Sequence, residues 1–358
     1  MTSGVRCALM RGGTSKGGLF LAEDLPADVA ARDALLLRVM GSPDPRQIDG
    51  LGGAHPLTSK VGVVSRSDEP GIDVDYLFLQ VVVDAPVVST SQTCGNILAA
   101  VGPFAVERGL VLARDGVTEV RVRMVNNDGR ATLHVRTPGG VVTYDGDTEL
   151  AGVPGTAAPV EIDLQALTVP LLPTGHLTDE LAGVTVTCID NGMPSVIVRA
   201  GDLGCTGAES PDALESDVAL VARIGRIRAE ASAAMGLPSD LATSTVPKVV
   251  LVSPPEGGGT LQTRSFIPHR VHQAIGVLGA ATVAAAAALP GTVAHELAAG
   301  PAPGRPLRIE HPTGFLDVAV ASGNDTEDLT PSVARTTIVR TARMLMDGTV
   351  YAGPARAL

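Results

Sequence analysis

The chain has 358 residues, 45% of them hydrophobic and 18% charged, which supplies a sizeable core and excludes a wholly disordered protein. That length exceeds what one hydrophobic core usually serves, so two domains are expected. A net charge of −11, 2% aromatic residues and the lack of a basic stripe exclude a nucleic-acid-binding design.

The 41 glycines and 26 prolines favour a strand-rich chain with many turns. Cys7, Cys94, Cys188 and Cys205 are dispersed, without CxxC or CxxH spacing, so neither a metal site nor a disulfide framework is expected. Dispersed free thiols suit a reducing compartment, and the polar first twenty residues do not read as a signal peptide, so a cytoplasmic protein is expected. No stretch is apolar for long enough to span a bilayer, so no membrane association is expected.

In chain order, the first feature is Met10–Gly17 (MRGGTSKG), where glycines flank hydroxyls and two cations. That is the composition of an anion-holding turn, although such turns are common in ordinary loops. Leu25–Met40 is amphipathic and predicts a surface helix. A glycine-rich loop, Asp49–Ala54, then runs through Thr58, Ser59 and Lys60 into a clean strand, Val61–Ser65. A lysine at that junction is by default a surface lysine; buried, its amine would lose part of its preference for the charged form. The loop lacks phosphate-loop spacing, and no helix follows it, so nucleotide binding is rejected.

Val74–Val83 predicts a second strand, and Thr93-Cys94-Gly95-Asn96 precedes Gly95–Glu107, a segment apolar on nearly every face. A helix of that kind must be enclosed on all sides. A cysteine at its N-terminus meets unpaired N–H groups and the positive end of the dipole, and both favour the thiolate. Gly95 allows close approach of a ligand, and the N–H groups of Gly95 and Asn96 can hold a carboxylate or an enolate oxygen. The alternative, a buried small hydrophobe, fits poorly with the polar neighbours Gln92, Thr93 and Asn96. Further strands are expected at Glu119–Met124 and Ala131–Thr137, and the proline-rich Val153–Pro173 approaches a domain boundary placed near Gly183.

The second half repeats the texture. Val184–Ile189, Ser195–Arg199, Lys248–Ser253, Leu307–His311 and Phe315–Ala321 read as strands, and Leu214–Met235 reads as one amphipathic surface helix. Asp190–Pro194 (DNGMP) reads as a type I′ turn at Asn191-Gly192 or as a ligand loop. Arg264–His272 (RSFIPHRVH) brings two arginines and two histidines ahead of Gln273–Leu289, a second segment apolar on nearly every face, and suggests a carboxylate clamp. His311–Gly314 is a turn or a minor contributor. The pattern is α+β: two similar domains, residues 1–183 and 184–358, each a curled sheet around one buried helix. No triad context, dinucleotide fingerprint or metal-ligand spacing appears, so no cofactor is expected.

Together, Arg11–Gly17 (RGGTSKG), Gly52–Val61 (GGAHPLTSKV), Cys94–Glu107 (CGNILAAVGPFAVE), DNGMP, the Ala-rich run with Pro290–Val293, and His311–Gly314 (HPTG) resemble the PrpF family. The resemblance runs from residue 11 to Arg343. It implies a diaminopimelate-epimerase-like fold of two barrel-like domains, with the site in the cleft and the last segment returning to the first domain. It also implies cofactor-independent isomerisation of unsaturated polycarboxylates, with Lys60 and Cys94 as the acid–base pair. MGSPDPRQIDGLGG, VTCIDNGMP, TRSFIPHR and VRTARMLMDG point within the family to members acting on 4-oxalomesaconate in aromatic catabolism. Methylaconitate, aconitate and methylitaconate are the alternative substrates.

On this reading Thr14, Ser15, Lys16, Ser59, Gly95, Asn96, Asn191, Met193, Arg264 and His272 hold the substrate. Amino-acid epimerases of this fold carry a second cysteine facing the first, and this chain has none after Cys205. An asymmetric lysine–cysteine pair is therefore favoured over a two-thiol racemase. A non-catalytic polycarboxylate-binding protein is the distant rival. The partner expected is a small molecule, and homodimerisation is left open by the chain.

Overall fold

The computed structural model describes residues 4–165, 170–237, 240–241, 244–267, 270–300, 306–322 and 333–354. The chain divides into two compact units, Met1–Ile162 with Val339–Leu358, and Asp163–Ile338. Residues 163–183 thus group with the second unit rather than the first. The hairpin that turns at Gly183 pairs Asp179–Leu181 with Val184–Val186, tying the approach segment to the strand after it.

The first unit opens with a tight hairpin, β1 (Val5–Gly12) and β2 (Ser15–Leu21), followed by helix α1 (Val29–Met40). Then come β3 (Lys60–Arg66), β4 (Val74–Val81), β5 (Val88–Ser89), helix α2 (Gly95–Glu107), β6 (Gly116–Met124) and β7 (Gly129–Thr137). A short ribbon of β8 (Thr148–Leu150) and β9 (Val153–Ala157) precedes β10 (Pro159–Gln165), so the proline-rich stretch is partly strand. The ladder β4–β3–β2–β1 continues to β19 (Val333–Val350), from there to β10, β7 and β6, and returns to β4. A sheet that closes on itself leaves no edge among these strands. Inside the ring lies α2, with Gly95–Ala105 buried throughout. It packs against β1, β2, β3, β4, β6 and β7, the surroundings that a helix without a polar face requires. Helix α1 covers the outer side of β3 and β4, where Leu36, Leu37, Val39 and Met40 join Phe20, Val61, Val63, Leu79 and Val81 in one apolar cluster.

The second unit contains β11 (Asp179–Leu181), β12 (Val184–Ile189), β13 (Ser195–Arg199), helices α3 (Pro211–Ser216) and α4 (Val218–Ala234), β14 (Lys248–Ser253), β15 (Leu261–Ile267) and β16 (Arg270–Val271). Helices α5 (Val277–Ala288) and α6 (Val293–Leu297) and strands β17 (Leu307–His311) and β18 (Gly314–Ser322) complete it, with β18 pairing to the first part of β19. Helix α5 is the second enclosed helix, beginning four residues later than the apolar run because Arg270–Val271 and the following turn precede it. The single amphipathic helix expected over Leu214–Met235 is two, because Asp217 leaves the helical conformation and caps α4 by accepting a hydrogen bond from Leu220 N.

Candidate functional site

Parallel pairing of β2 with β3 sets Gly17 beside Lys60 and Leu19 beside Gly62, and antiparallel pairing of β3 with β4 sets Gln80 opposite Lys60 and Phe78 opposite Gly62. Side chains alternate along strands, so Ser15, Gly17, Leu19, Lys60, Gly62, Tyr76, Phe78 and Gln80 share one face. That face is the one under α2. A Cβ built on Gly62 would lie 3.4 Å from Ile97 Cγ2 and 3.3 Å from the Tyr76 ring, and the Tyr76 hydroxyl donates to the Cys94 carbonyl at 3.2 Å. Lys60 and the N-terminus of α2 therefore occupy the same side of the sheet.

Lys60 is only 6% exposed. Its Nζ donates to Gln80 Oε1 at 2.8 Å and sits 5.0 Å from the centre of the Phe78 ring. The Gln80 amide is fixed from behind, because its Nε2 donates to the Ser59 and Pro56 carbonyls at 2.9 and 3.2 Å. Two carbonyls can meet only the amide nitrogen, so the oxygen must face Lys60. Ser59, expected to touch substrate, is fully buried; its hydroxyl donates to the Val81 carbonyl and accepts from Gln47 Nε2. Gln47 also accepts from Ala54 N, which ties the glycine-rich loop to the start of β3.

Cys94 is the N-cap of α2, half-buried and without a side-chain capping bond, and its carbonyl accepts the first intrahelical hydrogen bond from Leu98 N. Around it the turn after β1 packs closely on the helix. Cβ atoms built on Gly12 and Gly13 would lie 2.3 Å from the Asn96 carbonyl oxygen and 2.1 Å from its Oδ1. Asn96 Nδ2 donates to Thr14 Oγ1 at 3.2 Å. Three buried side-chain atoms here have no hydrogen-bond partner: Ser15 Oγ, Thr93 Oγ1 and Asn96 Oδ1. Buried polar atoms are normally satisfied, so three unsatisfied ones beside one helix N-terminus leave hydrogen-bonding capacity there for a ligand or water. Lys16 alternates to the opposite face from Ser15, with its Nζ near the Gly53 end of the glycine loop. Gln80 and Tyr76 were not singled out from sequence, and Thr93 was named only as a polar neighbour of Cys94. Inward alternation along Val74–Val81 was the signal for the first two.

In the second unit, Asn191 lies against the early turns of α5. Its N–H donates to Thr282 Oγ1 and its Nδ2 to the Ala281 carbonyl and Thr336 Oγ1. The Met193 carbonyl accepts from Ser195 and Thr282 hydroxyls. The loop is not a type I′ turn, which needs two positive φ values; Gly192 alone has one, and its N–H donates to Asp190 Oδ1. Burial raises the Asp190 carboxyl to about 6.

Of the expected carboxylate clamp, Arg264 and His272 each have partners of their own. Arg264 pairs with Leu251 and shares the face of Phe266, Val249 and Leu251, which packs on α4 rather than α5. Its guanidinium donates to the Glu209 and Thr263 carbonyls, and burial lowers its pKa. His272 Nδ1 accepts from Ala274 N, turning the ring onto its own loop. Pro268 and His269 of the same motif lie outside the described residues. The α5 N-cap is Gly276, without a side chain, where α2 has Cys94. Among the described residues no group of three His, Cys, Asp or Glu side chains is placed to hold a metal, and no helix is long and apolar enough to cross a membrane.

A family model described as PrpF protein matches residues 3–353. The chain belongs to the PrpF family. It is 53% identical to a (4E)-oxalomesaconate Delta-isomerase of Novosphingobium sp. (strain KA1), over 96% of each chain. It is 49% identical to a 4-oxalomesaconate tautomerase of Pseudomonas putida, covering 98% of this chain and 96% of that one. Among solved structures, a methylitaconate-delta-isomerase aligns over 100% of this chain and 99% of its own with TM-score 0.83 and 33% identity. A probable proline racemase of Agrobacterium radiobacter aligns over 98% and 94% with TM-score 0.59 and 15% identity, a likeness of fold alone. This PrpF protein thus has the epimerase-like α+β fold: two units, each a curled sheet around one buried helix, with a cysteine at only one of the two helix N-caps.

Proposed function

We propose that this PrpF-family chain is an isomerase that moves a proton on an unsaturated polycarboxylate, with 4-oxalomesaconate as its substrate. The observation that carries the reading is the placement of Lys60 and the Cys94 N-cap on one face, among three buried polar atoms without partners. A carbon between a ketone and a conjugated carboxylate is acidic enough for an amine or thiolate to deprotonate. The resulting dienolate needs donors where charge collects, and the first-turn N–H groups of α2 and the Ser15 and Thr93 hydroxyls supply that kind of contact. One of Lys60 and Cys94 removes the proton and the other returns one at the far end of the conjugated system. General acid–base catalysis contributes about 10²–10⁴-fold, so enolate stabilisation must supply much of the remainder. No cofactor enters this chemistry, and Gly276 at the second N-cap argues against a two-thiol racemase.

Lys60→Met and Cys94→Ala, each confirmed as folded, test the site through the ultraviolet change of 4-oxalomesaconate. Each is expected to lose at least about 100-fold in kcat; wild-type turnover in both would remove the site. Turnover in D2O distinguishes keto–enol tautomerisation from a 1,3-allylic shift, because the two label different carbons. A second reading within the family is isomerisation of methylaconitate or methylitaconate. It is favoured by the 2-methyl-aconitate isomerase of Shewanella oneidensis, 40% identical over 97% of this chain, and by the methylitaconate-delta-isomerase structure. A substrate panel ranked by kcat/KM separates the two.

A further inference from the structure

Arg340 is a buried cation with no anionic partner. It is 4% exposed, its Nη1 donates to the carbonyl of its own neighbour Val339, and its Nε has no partner at all. Among the described residues no Asp or Glu pairs with it, and burial alone lowers its pKa to about 10. The other buried arginines are provided for differently. Arg228 donates to the Pro247, Leu241, Ser244 and Val246 carbonyls, and Arg264 to two more. An isolated ionised group is costly to bury, and a guanidinium cannot escape by losing its proton, so an unpaired one implies a missing anion.

Strand register says where Arg340 stands. β1 and β19 are antiparallel, with Gly12 opposite Ala342 and Arg11 opposite Arg343, and Gly13 N donates to the Thr341 carbonyl. The Gly12 side faces α2, since a Cβ there would strike Asn96 and Ile97. Ala342 shares that face, and so does Arg340 by alternation, one strand step beyond the end of β1. That step leads past the first turn of α2, toward the Gly13–Thr14 turn. The opposite face carries Arg11, Thr341 and Arg343, and Arg11 donates to Thr341 there. A cation on this side meets the positive end of the α2 dipole, an unfavourable pairing until an anion lies between them.

We propose that Arg340 is a substrate-binding residue that takes one carboxylate of the substrate in front of the N-terminus of α2. The guanidinium fork offers two parallel donors to a carboxylate, and register puts it on the side of the sheet where the helix N–H groups and the Ser15 and Asn96 side chains lie. This deepens the isomerase reading and assigns Arg340 to binding, with the proton transfer left to Lys60 and Cys94. It also accounts for a feature that the fold alone does not: a charge is kept buried, without a partner, on the strand that closes the first unit.

The test uses the full chain with Arg340→Met and Arg340→Lys, and tricarballylate as a saturated tricarboxylate that cannot isomerise. Wild type is expected to gain thermal stability with tricarballylate, and Arg340→Met to bind it at least about 100-fold more weakly. Without ligand, Arg340→Met should melt at or above the wild-type temperature, because removing an uncompensated buried charge relieves a cost. A structural arginine would give the reverse. Arg340→Lys should keep part of the affinity, since it keeps the charge and loses the fork. KM for the isomerised substrate should rise with a smaller change in kcat. Equal tricarballylate binding by wild type and both variants overturns the proposal. If wild type does not turn over 4-oxalomesaconate but tricarballylate binding still depends on Arg340, the substrate assignment fails and the carboxylate site stands.

Discussion

Lys60 has a neutral acceptor where a structural lysine would commonly have a carboxylate. Gln80 Oε1 can accept from the amine or from the ammonium, so it holds Nζ in either protonation state without fixing the charge. Gln80→Glu, which sets a carboxylate against the amine, is therefore expected to lower kcat at least as much as Gln80→Met, which only removes the acceptor. Steady-state kinetics on the three proteins checks it, and wild-type kcat in both variants would show that the contact to Gln80 does not position Lys60. The two central residues were unequally legible in the chain. Cys94 could be read because an apolar helix pattern begins right after it, and a helix end has known electrostatics. Lys60 resembled any loop–strand lysine, because its burial comes from Phe78 and Gln80 on a strand reached only after the next turn. For Arg264 a single step of strand alternation decides whether the side chain faces α4 or α5, and the motif alone does not carry that step.

Elements were legible where their period was strong. Helix α2 was bounded to the residue, because glycine opens it and charged Glu107-Arg108 closes it. The β1–β2 hairpin was overlooked as strand, since Gly12, Gly13, Gly17 and Gly18 dilute its alternation. Gly12 and Gly13 let the hairpin lie directly on α2. Gly12→Ala brings a methyl group to 2.3 Å from the Asn96 carbonyl and 3.1 Å from Ile97 Cα, both of which are helix backbone and cannot swing aside. The substitution should destabilise the protein by about 1–3 kcal/mol as overpacking does, and should lower kcat/KM by displacing Asn96 and Cys94. Urea unfolding with parallel kinetics checks both halves. A variant with wild-type midpoint and kinetics would mean that the turn and helix are not in contact as described.

At the scale of the molecule, the two-unit plan was readable from two fully apolar helices far apart in the chain, each needing its own enclosure. What could not be read was how the first enclosure closes, because β19 begins about 170 residues beyond the end of β10 and sequence periodicity carries no record of pairing. The physical consequence is specific. Val333–Ile338 of β19 pairs with β18 in the second unit, whereas Ala342–Val350 pairs with β1 in the first. Ending the chain after Val339 leaves the β18 ladder whole but removes every residue of β19 that pairs with β1, leaving β1 with β2 alone. The ring then opens beside α2, whose buried residues provide no polar face to meet water. Because the ring encloses one core, its loss should be cooperative rather than a local fraying. Brief proteolysis of the truncated chain is expected to degrade residues 1–162 while a fragment covering 163–338 persists, and hydrogen exchange should lose protection in β1, β2 and β3 together. Retained protection across 5–66 in the truncated chain would show that the first unit stands without its returning strand.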